Sequence, residues 1–130
     1  MTEVVIASAT RTAIGDFGGA LAGIAPCDLG AMVARDAIAR AGITADAVEQ
    51  TVFGHVIPTA PEDMYLSRVA AIRAGVPETA PALTLNRLCG SGLQAVVTAA
   101  DQIWLGRARI ALAGGAESMS RAGHLMSIRA

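Results

Sequence analysis

Residues 82–115 read ALTLNRLCGSGLQAVVTAADQIWLGRARIALAGG, and this stretch decides the fold class. Ala82 to Leu85 is a very short apolar run that reads as a strand. From Gly92 to Leu105, the residues Leu93, Val96, Val97, Ala100, Ile103 and Trp104 follow the i, i+3, i+4, i+7 pattern of one helix face, and Gly106 ends it. Ile110 to Ala113 is a further strand, closed by Gly114 and Gly115. Working outward, the alternation continues. Val4 to Ala9 is a β-branched apolar run that predicts a first strand, and Arg11 to Ile24, with Gly15, Gly18, Gly19 and Gly23, predicts a glycine-rich loop. Pro26 and Asp28 open a helix with Leu29, Met32, Val33, Ala37 and Ile38 on one face, stopped by Gly42. Thr44 caps a further turn through Val48. Thr51 to Ile57 predicts a strand ended by Pro58 and Pro61. Met64 to Ala74 predicts a helix with Tyr65, Val69 and Ile72 at helical spacing. The tail from Glu117 to Ala130 carries no assignment. Strand and helix in alternation mean an α/β class with a mostly parallel sheet.

The chain has 130 residues, 53% hydrophobic and 16% charged, which suits one small globular domain and excludes a disordered one. Ten basic residues, all Arg, balance eleven acidic ones and form no stripe, so nucleic acid is not an expected partner. The lack of Lys excludes a P-loop or Schiff-base Lys. Charges interrupt every apolar run well before the roughly 18 residues of a spanning helix, so no membrane partner is expected. The apolar excess fits a sheet buried on both faces, or an oligomer. Two Cys without a basic, secretion-type N-terminus predict free thiols in a reducing compartment, hence a cytoplasmic protein.

Functional groups in a parallel α/β sheet gather where strands end and helices begin. Cys89 stands at such a junction. Unpaired N–H groups at a helix N-terminus favour thiolate over thiol, Gly90 and Gly92 clear the space beside the sulfur, and the same N–H groups can receive an oxyanion. A small buried hydrophobe is the alternative reading of Cys89. Gly90 to Ala95 also fits G-x-G-x-x-A, the nucleotide-binding fingerprint, but it follows the third strand and the next strand ends without an acid. The papain-type and serine-hydrolase signatures fail at Gly92 and at Cys89. Cys27 reads as packing. His55 and His124 are possible bases for Cys89, although nothing in the spacing requires either. Glu117 reads as a loop organiser, and no Cys/His pair has metal-ligand spacing, so no metal site is expected.

Three stretches then point to a family: residues 9–19 (ATRTAIGDFGG), 86–95 (NRLCGSGLQA) and 114–120 (GGAESMS) resemble the thiolases, the acetyl-CoA acyltransferases, and 57–66 (IPTAPEDMYL) resembles the β-ketothiolase branch. The resemblance implies that Cys89 carries an acyl group as a thioester, in thiolysis of a 3-ketoacyl-CoA or in the reverse Claisen condensation. Coenzyme A and acyl-CoA would be substrates, with no permanently bound cofactor. It implies that residues 1–130 form part of an N-terminal thiolase domain. A Gly-His-Pro motif and a Cys-x-Gly motif, and the insertion that holds CoA, would lie in a missing loop domain and C-terminal domain. The chain alone would then be inactive or nearly so, and the full-length protein a dimer or tetramer with Ala82–Leu85 at a two-fold edge. Gly123 stands where the family often has Pro. The implied fold is a three-layer α/β/α half-domain with strand order 3-2-4-5-1. Strand 5 would be lacking, which leaves a gap between strands 4 and 1. Other readings are a non-catalytic module on the same half-fold, or a nucleotide-binding domain using Gly90 to Ala95.

Overall fold

The computed structural model describes residues 3–128. Its sheet has three parallel strands, β1 (Gln50–Gly54), β2 (Ala82–Leu85) and β3 (Ala111–Gly115), in the order β2-β1-β3. Thr51 pairs with Ala82 on one side and with Leu112 on the other. Helices α1 (Pro26–Arg40) and α2 (Leu66–Arg73) cover one face, and α3 (Ser91–Trp104) covers the other. This is the parallel α/β sheet that the sequence predicts, in the α/β/α layering that the resemblance implies. Among the described residues, no helix is long and apolar enough to cross a membrane.

Period-two alternation along β1 sorts the two cores. Phe53 points into the α1/α2 layer, where it meets Cys27, Ala34 and Ile38 from α1 and Leu66, Ala70 and Ala71 from α2. The slot for its ring exists because two neighbours lack side chains: a Cβ on Gly30 or on Gly114 would lie 3.3 or 3.2 Å from ring carbons. Val52 points the other way, onto Ala95 and Ala99 of α3. Small residues on that helix face let it lie close to the sheet. Helix α2 is pinned to the strands by Ser67, whose N–H donates to Thr84 Oγ1 at 2.9 Å and whose hydroxyl donates to the Thr51 carbonyl at 3.2 Å. Helix α1 ends in a Schellman turn: Gly42 sits at φ +69°, its N–H bonds the Ala39 carbonyl, and the Ile43 N–H bonds the Ile38 carbonyl.

The boundaries shift for identifiable reasons. β1 stops at Gly54 rather than Ile57, because the Val56 and Ile57 N–H groups donate to the Glu117 carboxylate instead of a ladder. The helix expected from Met64 begins at Leu66, after a 3₁₀ turn over Pro61–Tyr65. A 3₁₀ turn does follow Thr44, over Ala45–Ala47, but the Thr44 hydroxyl does not cap it. The tail forms one 3₁₀ turn, Met119–Arg121.

The expected first strand, Val4 to Ala9, is not a strand. A strand exists only through a ladder partner, and this segment has none. It lies instead along α1, held by Ser8 Oγ donating to the Ala37 carbonyl at 2.7 Å and Thr10 Oγ1 donating to Asp36 at 2.5 Å. Between it and the free edge of β3 runs a groove of about 490 Å³, floored by α1 residues such as Ala34 and Ala37 and roofed by α3 residues such as Val96 and Ile103. The groove continues the plane of the sheet, at the place of the expected gap between strands 4 and 1. It leaves Val5 and Ile6 exposed, and the outer face of α3 exposes Leu93, Val97 and Trp104.

Such apolar surface beside an unpaired edge favours association. Expressed by itself, the 130-residue chain is expected to elute as associated species with a broad melt, read by light scattering and far-UV circular dichroism. A monodisperse monomer melting in one cooperative step would contradict this.

Candidate active site

β2 ends at Leu85, and after five intervening residues α3 begins at Ser91. The turn between them is closed by backbone bonds from the Gly90 N–H to the Arg87 carbonyl (3.1 Å) and from the Ser91 N–H to the Leu88 carbonyl (3.0 Å). Asn86 opens it, its Oδ1 accepting from the Leu88 N–H at 2.9 Å. Leu88 takes φ +51°, the left-handed region, which costs a residue with a Cβ roughly 1–2 kcal/mol. Ser91 is buried and bonds in both directions: its Oγ accepts from the Arg87 N–H at 2.8 Å and donates to the Leu88 carbonyl at 2.7 Å. The first turn of α3 can sit this close to β1 because Gly54 has no side chain. A Cβ there would fall 2.6 Å from the Ser91 carbonyl carbon and 2.7 Å from its Cβ.

Cys89 rides this turn with an exposed thiol. Among the described residues, its own N–H and those of Gly92 and Leu93 donate to no acceptor, so the positive N-terminal end of α3 keeps three unpaired donors on the turn that carries the thiol. The reading of Cys89 as a buried hydrophobe is therefore wrong.

Cys27 has the opposite surroundings. It is fully buried at the start of α1, in the other helical layer, and its S–H donates to Asp63 Oδ1 at 3.2 Å. Burial pushes this thiol up to about 12, and the Asp63 carboxylate that accepts its proton adds to the rise. It is a packing residue, as its sequence context predicts.

His55 continues from β1 at the carboxyl edge of the sheet, and it makes no hydrogen bond to Cys89. Its Nδ1 lies 2.8 Å from the Ala116 carbonyl and 3.3 Å from Glu117 Oε1. A carbonyl can only accept, so in the neutral ring the hydrogen is on Nδ1, and Nε2 is left buried with no partner among the described residues. Glu117 spends its carboxylate on two backbone N–H groups, at 3.1 and 2.8 Å, and organises that loop as predicted. His124 is exposed in the tail. The structure brings neither His to Cys89 through a hydrogen bond.

Asp63, Ser91 and Gly54 carry weight that the sequence did not signal strongly. The Asp63 carboxylate is wholly buried. Oδ2 accepts from the Thr59 N–H and hydroxyl, both at 2.7 Å, and from the Ala60 N–H at 2.9 Å. Its place three residues beyond the helix-capping position was the available clue. Cys27, Glu62 and Asp63 offer three ligand-type atoms within 4.8 Å of one another, but Asp63 is saturated by these bonds and Glu62 pairs with Arg73 at 3.1 Å. The cluster is a hydrogen-bonded turn.

Comparison with known proteins bears on the fold that carries this turn. The family model for the thiolase N-terminal domain matches residues 4–130. A beta-ketothiolase of Cupriavidus necator is 61% identical over 123 residues, covering 95% of this chain and 31% of that protein. An acetyl-CoA acetyltransferase of the same organism is 49% identical over 126 residues, covering 97% of this chain and 32% of its own length. Among solved structures, human mitochondrial 3-ketoacyl-CoA thiolase in complex with CoA superposes with a TM-score of 0.92 at 35% identity, over 95% of this chain and 32% of that one. The chain spans about a third of the length of the curated relatives it matches.

Burial pushes the Asp63 carboxyl up, but the bonds from Thr59, Cys27 and Ala60 outweigh it and hold the group below the ordinary carboxylate range. A lowered folded-state value stabilises the fold above the unfolded value, about 3.9, and this stability is lost as pH falls through the lower folded value. Asp63→Ala leaves two backbone donors unpaired and is expected to cost about 2–3 kcal/mol at pH 7. In urea titrations followed by circular dichroism, the wild type's margin over Asp63→Ala should shrink below about pH 4. A margin that stays constant down to pH 2.5 would exclude this role.

Proposed function

This chain belongs to the thiolase family, and on that premise we propose that it supplies the nucleophile of an acyl-CoA C-acyltransferase, as the N-terminal part of a longer polypeptide. The observation that carries the reading is the exposed Cys89 on a turn whose Cys89, Gly92 and Leu93 N–H groups meet no acceptor among the described residues, inside the motif Asn86 to Ala95.

In the degradative direction the Cys89 sulfur bonds to the 3-keto carbon of a 3-ketoacyl-CoA. The developing oxyanion takes hydrogen bonds from N–H groups at the turn. When the carbonyl re-forms, the bond between C2 and C3 breaks, its electron pair passes to the departing acetyl-CoA as an enolate, and that carbon is protonated. The shortened acyl chain stays on Cys89 as a thioester until the thiol of a second CoA displaces it. The synthetic direction runs these steps in reverse. Dividing the reaction at a covalent intermediate replaces one difficult transfer with two easier ones.

Among the described residues no base is hydrogen-bonded to the Cys89 thiol: His55 Nδ1 is engaged by Ala116 and Glu117, and its Nε2 is buried without a partner. The resemblance puts the base in the Gly-His-Pro motif and the carbon acid–base in the Cys-x-Gly motif, in a C-terminal half. We propose that the 130 residues alone are inactive for this reason. The outer edge of β2 is free, and Leu83 there is exposed, which supports a homo-oligomer built across that strand. Two unpaired thiols support a cytoplasmic setting.

Treating the full-length protein with acetyl-CoA or acetoacetyl-CoA should add one acyl group, found by peptide mass spectrometry on Cys89 and absent from Cys27. Cys89→Ser should lower turnover by several orders of magnitude, on the order of 10³-fold or more. An unmodified Cys89, or full turnover in Cys89→Ser, would leave a non-catalytic module as the better description.

A further inference from the structure

A backbone in the left-handed region at a non-glycine residue persists only where its surroundings over-determine it. Around Leu88 those surroundings converge on one side chain. The Leu88 carbonyl receives two bonds from Ser91, one from its N–H at 3.0 Å and one from its hydroxyl at 2.7 Å, while the same hydroxyl accepts from the Arg87 N–H at 2.8 Å. The hydroxyl thus joins the 86–87 peptide, through its N–H, to the 88–89 peptide, through its carbonyl, and uses its donor and an acceptor at once. Ser91 is only 5% exposed and is pressed against Gly54, so neither water nor another rotamer readily replaces these bonds.

The 88–89 peptide is trans, so its carbonyl and its N–H point in opposite directions. Drawing the Leu88 oxygen in toward Ser91 therefore turns the Cys89 N–H outward, where no acceptor among the described residues meets it. We propose that Ser91 is a positioning residue for Cys89, its hydroxyl locking the 88–89 peptide so that the Cys89 N–H and thiol are presented together at the mouth of α3. The inference rests on the acyl-transfer reading for what the thiol does, but not for the lock itself. The turn's one charged side chain follows the same backbone: Arg87 Nη1 donates to Gln94 Oε1 at 2.6 Å, along α3.

The test uses the full-length protein with Ser91→Ala and with the double variant Ser91→Ala/Leu88→Gly. Three readouts are taken: the iodoacetamide labelling rate of Cys89, labelling of buried Cys27 as a check on the fold, and steady-state kinetics. In Ser91→Ala, Cys89 labelling is expected to slow about two- to fivefold, and kcat to fall about ten- to a hundredfold with KM little changed, while Cys27 stays protected. Glycine adopts positive φ without steric cost, so Leu88→Gly is expected to restore part of both losses. Unchanged Cys89 labelling and kcat in Ser91→Ala would overturn the proposal. So would a loss that comes with Cys27 labelling and is not rescued by Leu88→Gly, since Ser91 would then serve the fold at large. If wild-type Cys89 accepts no acyl group and its labelling still falls in Ser91→Ala, the acyl-transfer reading fails and the lock stands.

Discussion

The close approach of α3 to Gly54 is the constraint on which the rest of the site depends. β1 is the middle strand, and its consecutive residues address opposite layers. Phe53 fills a slot made by Gly30, Gly114 and Ala70 on one face, and Gly54 vacates space for the backbone of Ser91 on the other. Any side chain at 54 would push the first turn of α3 off the sheet. That turn is where the chain leaves β2, takes the left-handed step at Leu88 and exposes Cys89. A missing Cβ in one strand thus sets where a thiol stands on the next connection.

The two cysteines show how little residue identity decides by itself. Both lie at or near a helix N-terminus. Cys27 is enclosed by α1, α2 and a saturated carboxylate, and its proton is held by burial and by Asp63. Cys89 is outside every core cluster, on a turn whose Cys89, Gly92 and Leu93 N–H groups meet no acceptor among the described residues, with Gly90 beside it. The first contributes packing and one hydrogen bond. The second has the exposure and the polar surroundings that nucleophilic chemistry requires.

Much of this was legible from residues alone, and the limits have physical reasons. The helix expected over Gly92–Leu105, found at Ser91–Trp104, and the strand Ala82–Leu85 follow from local spacing, since 3.6-residue periodicity and glycine stops need no tertiary context. Cys89 stood out because a glycine-flanked Cys at a strand–helix junction is a local pattern. Val4 to Ala9 has strand composition but forms no strand, because pairing is a property of two segments and its neighbour across the groove is empty. β1 ends early at Gly54 because Glu117, some sixty residues on, takes the next two N–H groups, and no local signal announces such a partner.

The sequence by itself determined the α/β class and the helices and strands from Pro26 onward, and it singled out Cys89 as the thiol to examine, because each is encoded in short-range periodicity, turn residues and motif. Tertiary structure alone decided which segments pair, that His55 faces Ala116 and Glu117 instead of Cys89, and that Ser91 and Gly54 hold the turn. Those outcomes depend on hydrogen bonds and close approaches between residues distant in the chain, whose partners only the folded backbone brings within reach.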